Sequence, residues 1–187
     1  MKFSNVIKIV ALAFFSLIVS GCTIMHNITL YVEGVDTYKS SVQSLLYKTD
    51  DTPYYNGPIN YFIKVDRKKR YITYIYDVGA FIVGMPSFYK ENINQDLKKL
   101  DMFIDWASQP YDMRVKTKDK VESQLPNNSI KAAKGITDFS LYMSKKINNN
   151  EPYLVYTRDV DYFNKVMFLI NKRNAEKMKG ELTLFLK

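Results

Sequence analysis

The sequence predicts an α+β domain, mainly an antiparallel sheet built from hairpins, with two amphipathic helices. Three observations carry this. Residues 59–66 and 70–77 alternate with period two and are rich in β-branched and aromatic side chains, the pattern of paired strands. In residues 86–108, Leu97, Leu100, Phe103, Ile104 and Ala107 fall on one helical stripe, with Asp96, Lys98, Lys99, Asp101 and Asp105 largely opposite. Short polar breaks, Arg67-Lys68-Lys69 and Asn148-Asn149-Asn150, separate apolar runs at hairpin spacing.

The elements follow in order. Residues 28–32 (Ile, Thr, Leu, Tyr, Val) predict a strand that ends at Gly34. Asp36 is a helix N-cap candidate, because Tyr38, Val42, Leu45 and Leu46 recur at helical spacing. Pro53, Gly57 and Pro58 mark a loop over residues 50–58. After the first hairpin, residues 80–83 form an apolar edge strand or buried loop between Gly79 and Gly84. The main helix stops at Pro110, and Trp106, beside its stripe, is expected to pack on the sheet.

Tyr111, Met113, Val115 and Thr117 alternate with Asp112, Arg114, Lys116 and Lys118, which predicts a half-exposed strand. Residues 119–134 are polar, with a break at Pro126. Residues 137–145 and 152–158 predict a second hairpin around Asn148, Asn149 and Asn150. Residues 166–170 and 182–186 predict a third hairpin, against the alternative of one long helix over 160–178.

The first 21 residues have a different character. Lys2 and Lys8 precede an apolar run over residues 9–19, and the small Ser20 and Gly21 follow it. This is the organisation of a cleaved secretory leader. The run is well short of the ~20 residues that a spanning helix needs. Cys22, the only cysteine, comes next.

Val19-Ser20-Gly21-Cys22 resembles the lipobox of bacterial lipoproteins. The resemblance covers the leader and the first mature residue alone. It implies diacylglycerol on the Cys22 thiol, cleavage before Cys22 and acylation of the new amino terminus. Durable anchoring needs two or more acyl chains, each contributing about 0.8 kcal/mol per buried methylene. Thr23 stands where an aspartate would mark inner-membrane retention, so the resemblance implies the periplasmic face of the outer membrane in a diderm cell. The domain plan is then a leader over 1–21, an acylated cysteine with a short tether over 22–27, and one globular domain over 28–187.

Composition narrows the chemistry. With Cys22 acylated, no thiol remains for a disulfide or a nucleophile. His26, the only histidine, lies in the tether, whereas a catalytic base must be held rigidly. Triads using histidine and zinc sites built from His or Cys are therefore excluded. Asp101/Asp105 and Asp159/Asp161 are carboxylate pairs that could serve glycan cleavage at the right separation. No calcium-loop or Gly-rich phosphate motif occurs, and neither metal nor cofactor is expected.

The net charge is +8. Basic residues gather in three clusters: Arg67, Lys68, Lys69 and Arg70; Arg114, Lys116, Lys118 and Lys120; and Lys172, Arg173, Lys177 and Lys179. An exported, tethered chain rarely meets nucleic acid, so lipid headgroups, lipopolysaccharide phosphates or an acidic protein are the expected anionic contacts, first at Arg67–Arg70. Tyr54, Tyr55, Tyr71, Tyr74 and Tyr76 are expected to divide between core and binding surface. The function expected is a membrane-anchored, non-enzymatic binding or accessory protein, an assembly factor or an immunity-type inhibitor. The alternatives are a carboxylate-dependent envelope glycan hydrolase and a structural lipid-surface protein.

Overall fold

A computed structural model describes residues 34–77, 82–85, 87–126, 139–159 and 165–187. The chain divides into a leading unit, Met1–Asp36, and a compact unit, Thr37–Lys187. The predicted strand over 28–32 lies outside the described residues.

The elements are β1 (Val35–Lys48), β2 (Ile59–Asp66), β3 (Tyr71–Asp77), β4 (Ile82–Gly84), β5 (Phe88–Tyr89), α1 (Ile93–Ala107), α2 (Tyr111–Gln124), β6 (Ser140–Tyr142), β7 (Tyr153–Asp159), β8 (Lys165–Asn171) and α3 (Lys172–Phe185). The sheet order is β4-β3-β2-β1-β8-β7-β6, with β5 pairing β3. Pairing is antiparallel for β1–β8, β2–β3, β3–β4, β3–β5, β6–β7 and β7–β8. The α+β class and the first two hairpins therefore stand, with the sheet dominant and, among the described residues, three α-helices rather than two.

The outer edge of β3 is shared by two short strands. Ile75 faces Gly84 of β4, and Ile72 faces Phe88 of β5. At Gly84 the chain runs so close to β3 that a Cβ would meet the Tyr74 carbonyl oxygen at 3.3 Å.

The sheet also curls until its distant strands meet. Arg158 of β7 donates from Nη1 to the Gly84 carbonyl at 2.8 Å. Phe88 stacks on Phe139 at 6.3 Å between ring centroids, although β5 and β6 stand at opposite ends of the strand order. Ring contacts run on through the interior: Tyr61–Tyr74, Tyr74–Phe88, Phe139–Tyr156 and Tyr156–Phe168, the last stacked at 4.5 Å. Such pairs contribute about 0.5–1.5 kcal/mol each beyond area burial.

The inner face of the sheet packs on α1 and α3. Ile93, Leu100, Phe103 and Trp106 enter this core from α1, and Ala175, Met178, Leu182 and Phe185 enter from α3. A smaller cluster on the outer face joins Ile147, Tyr153, Val155, Met167 and Leu169.

Four expectations are corrected. Residues 35–48 form β1, not a helix starting at Asp36. Inward positions along β1 are Ser40, Val42, Ser44 and Leu46. The two serines hide the alternation, and each is satisfied inside: Ser44 Oγ pairs with Tyr61 Oη at 2.7 Å, and Ser40 Oγ donates to Glu181 Oε2 at 2.9 Å.

Residues 111–124 form helix α2, not a strand. No α2 residue is fully buried, so its alternation reflects no core face. Half-buried Val121 packs against the core, and polar contacts supply the rest. Trp106 Nε1 donates to the Arg114 carbonyl at 3.1 Å, Arg114 Nη1 donates to the Gln109 carbonyl at 2.9 Å, and Glu122 accepts from the Leu141 amide at 3.0 Å.

Residues 182–186 close helix α3 rather than a third hairpin, and β8 excludes the long helix. Asn171 caps α3 by accepting from the Asn174 amide at 3.1 Å.

In α1, the helix begins at Ile93, and both Asp96 and Lys99 are buried rather than facing solvent. The Lys99 ammonium lies 5.4 Å from the centre of the Phe139 ring.

Candidate functional site

The basic hairpin tip between β2 and β3 is a tight, internally braced turn. Lys69 adopts φ +50°, and its amide donates to the Asp66 carbonyl at 2.7 Å. Arg70 grips the buried Asp66 carboxylate with Nε at 2.8 Å and Nη2 at 2.9 Å, and its amide adds a third bond at 3.1 Å. Arg70 is thus a structural member of the turn rather than an uncommitted contact. Lys68 and Lys69 project as exposed side chains, and Arg67 is exposed with a partner of its own.

Donation by the Arg70 side chain holds the Asp66 carboxyl at about 2, below its ordinary 3.8. A depressed folded-state pKa adds stability that is present above about 3.8 and is lost as pH falls toward 2. Asp66→Asn should therefore lower the urea midpoint at neutral pH. The gap to the native chain should close as unfolding is measured down to about pH 2. A gap that stays constant with pH would assign the effect to packing alone.

The other two basic clusters do not form single surfaces. On α2, Lys118 binds Glu122 at 2.9 Å, and Arg114 is turned against Tyr111 and the Asn150 carbonyl. On α3, Lys177 donates to the Ser41 carbonyl at 2.9 Å and Lys179 pairs with Asp101 of α1. Arg173 stays exposed. Of the Asp101/Asp105 pair, Asp101 is thus in an ion pair and Asp105 is exposed. Asp161 of the second carboxylate pair lies outside the described residues. Among the described residues no group of three or more His, Cys, Asp and Glu gathers as a metal site.

Cys22, its neighbours Val19, Ser20 and Gly21, and His26 also lie outside the described residues. No helix among the described residues is long and apolar enough to cross a membrane.

Two features were not legible in the sequence. The first is a shallow groove of about 440 Å³ lined by Lys39, Tyr55, Pro58, Asn60, Phe62 and Tyr76, with Ile59 at its floor. Phe62 is 44% exposed and Tyr55 is 52% exposed, with Tyr55 set edge-on to Tyr76 at 6.5 Å. The signal available was Phe62 itself, an aromatic in the outward register of β2. Of the tyrosines expected to divide, Tyr74 is core, Tyr71 and Tyr76 are half-buried, and Tyr54 and Tyr55 are exposed.

The second is a cluster of hydroxyls under α3. Glu181 accepts from Ser40 Oγ, the Ser41 amide and Ser41 Oγ, which ties α3 to β1. Tyr61, Tyr74 and Tyr156 are fully buried beside these groups, and burial pushes all three phenols above their ordinary pKa of 10. Of the three hydroxyls, Tyr61 Oη pairs with Ser44 Oγ at 2.7 Å, whereas those of Tyr74 and Tyr156 are buried without a hydrogen-bond partner among the described residues.

No family model and no curated protein matches the chain. One solved structure, described as "Mutations in SsgB correlate to longitudinal cell division during sporulation of Streptomyces coelicolor", is similar over 80% of this chain and 86% of its own. Its identity is 9% and its TM-score 0.38, a likeness that carries no assignment.

Proposed function

We propose that the chain is a lipid-anchored envelope protein that acts by binding another envelope protein and performs no catalysis of its own. Cleavage before Cys22 and acylation of its thiol would place it on the periplasmic face of the outer membrane in a diderm cell. The single observation that carries the binding role is the Tyr55–Phe62–Tyr76 groove. It exposes the rings of Tyr55 and Phe62 beside Lys39. Large aromatic side chains are enriched at the centres of protein interfaces, and a lysine suits the rim.

The partner class is an accessory or assembly component, or a periplasmic toxin that the chain neutralises. Tagged, acylated protein extracted from membranes should recover one partner in stoichiometric amount. The double variant Tyr55→Ser, Phe62→Ser should weaken that recovery at least tenfold, since interface aromatics commonly contribute about 2 kcal/mol or more each. Its urea midpoint should stay close to that of the native chain, because both side chains are exposed. Undiminished recovery by the double variant would remove the groove from the interface.

A further inference from the structure

We infer that the fork where β8 parts from β1 is a receptor for a carboxylate that a protein partner presents, from its C-terminus or from an Asp or Glu side chain. That the carboxylate belongs to a protein rests on the binding role proposed above. The pocket itself stands on its own residues.

The strand ladder creates the fork. β1 and β8 pair from Lys48 with Val166 as far as Leu45 with Leu169. The same register, continued, would set Gln43 opposite Asn171. Instead the Gln43 amide donates to Oδ1 of Asn174 on α3 at 2.9 Å, and Asn171 turns the chain into that helix as its cap. A pocket of about 250 Å³ opens between the parted strands and α3. At ~30 Å³ per water this is room for about eight waters, or for one carboxylate and the atoms next to it.

The walls are braced from behind. Glu151 accepts from Asn148 Nδ2 at 3.0 Å, Asn171 Nδ2 at 3.2 Å and Tyr153 Oη at 2.6 Å. Gln43 Nε2 donates to Asn60 Oδ1 at 2.8 Å. These bonds set the carboxamides in place before a ligand arrives, which lowers the ordering cost of binding. They also leave Asn148 Oδ1 and Gln43 Oε1 to act as acceptors.

The charge of the lining is positive. Arg173 and Lys177, one turn apart on α3, are its charged residues, and no carboxylate shares it. Lys177 spends one N–H on the Ser41 carbonyl, and Arg173 is exposed, with no ion pair or side-chain hydrogen bond among the described residues. A guanidinium takes both oxygens of a carboxylate, and carboxamide oxygens take the peptide N–H groups next to it.

The pocket also adjoins the aromatic groove. Pro58 lines both, and the Gln43–Asn60 bond joins their walls. One extended segment can therefore lay an apolar side chain against Tyr55 and Phe62 and its carboxylate in the fork.

The test uses the mature, acylated, isotope-labelled chain in detergent micelles. Four probes are titrated: N-acetyl-dialanine with a free carboxylate, its C-terminal amide, the amide of N-acetyl-aspartate, and inorganic phosphate. Chemical shifts of Gln43, Asn148 and Arg173 report binding. The free dipeptide or the aspartate amide should shift these signals saturably, and the tighter of the two tells a C-terminus from a side chain. The dipeptide amide should bind about tenfold more weakly than the free dipeptide, or worse. Arg173→Gln should weaken carboxylate binding by about tenfold or more. Lys172→Gln removes the same charge from the same helix outside the lining, and should stay within about twofold of the native chain.

Equal shifts by acid and amide, phosphate binding tighter than either carboxylate, or equal losses in the two variants overturn the receptor. The double variant Tyr55→Ser, Phe62→Ser should keep its carboxylate binding, so failure of the groove reading leaves this titration intact. Where a partner is recovered from membranes, Arg173→Gln should lower its recovery and the tighter carboxylate probe should compete for it. Indifference to both would overturn the link between the pocket and the partner.

Discussion

Replacing Cys22 with serine should abolish incorporation of labelled palmitate and leave the chain at its precursor mass, with the leader uncut. The effect is all-or-none because sulfur is the atom that is alkylated, and a hydroxyl at that position is not an equivalent nucleophile. Cys22 is the only cysteine, so no neighbouring thiol can substitute for it. Each lost acyl chain removes about 0.8 kcal/mol per methylene of membrane attachment. Metabolic labelling and intact mass of the membrane fraction measure both consequences. A Cys22→Ser chain that still acquires palmitate, or that is still cut before residue 22, would refute the lipobox reading.

Trp106→Ala should destabilise the domain by about 3–5 kcal/mol, the range for emptying a large aromatic site in a packed core. Trp106 is completely buried at the end of α1, tilted against Phe103 at 6.3 Å. Its indole N–H also holds the Arg114 carbonyl in the first turns of α2. The substitution therefore opens a cavity and loosens a helix that has no fully buried side chain of its own. Against a typical total of ~5–15 kcal/mol, this leaves a marginal fold. Urea unfolding followed by far-UV circular dichroism gives the number. Trp106→Phe should lose less, because the ring volume is largely kept. A loss within about 1 kcal/mol for Trp106→Ala would mean that the core around α1 collapses to fill the site.

The hairpins were legible because they are local. β2 and β3 show period two over their whole length, and the 67–69 turn joins them directly. β6 and β7 were legible for the same reason, with their connection turning through Asn148, Asn149 and Asn150, all at positive φ. Asparagine tolerates that conformation better than most residues do. Local period misleads where the residues that complete a face lie far along the chain. Val42, Leu45 and Leu46 fit a helical stripe, yet the strand face that is buried includes Ser40 and Ser44. Those serines count as polar until Tyr61 and Glu181, far along the chain, are seen to satisfy them. The charge of Lys99 predicts a solvent position, yet its stem is enclosed and its ammonium sits over Phe139.

The candidate surfaces divide in the same way. The basic run at 67–70 is contiguous, so composition found it, but composition treated Arg70 as equal to its neighbours. Geometry commits Arg70 to Asp66 and leaves Lys68 and Lys69 to face outward. The Tyr55–Phe62–Tyr76 groove comes from a loop and two strands, and no contiguous run announces it.

The amino-acid sequence by itself determined the two local hairpins, and it shows the lipobox-like run over 19–22 and the lack of His and Cys after residue 26. Each of these depends on residue type or on spacing within a few positions. Tertiary structure alone decided that residues 35–48 pair as a central strand. It alone brought β4 against β7. Those outcomes depend on which distant groups desolvate one another and satisfy one another's hydrogen bonds. That is a property of the closed fold, which no local pattern records.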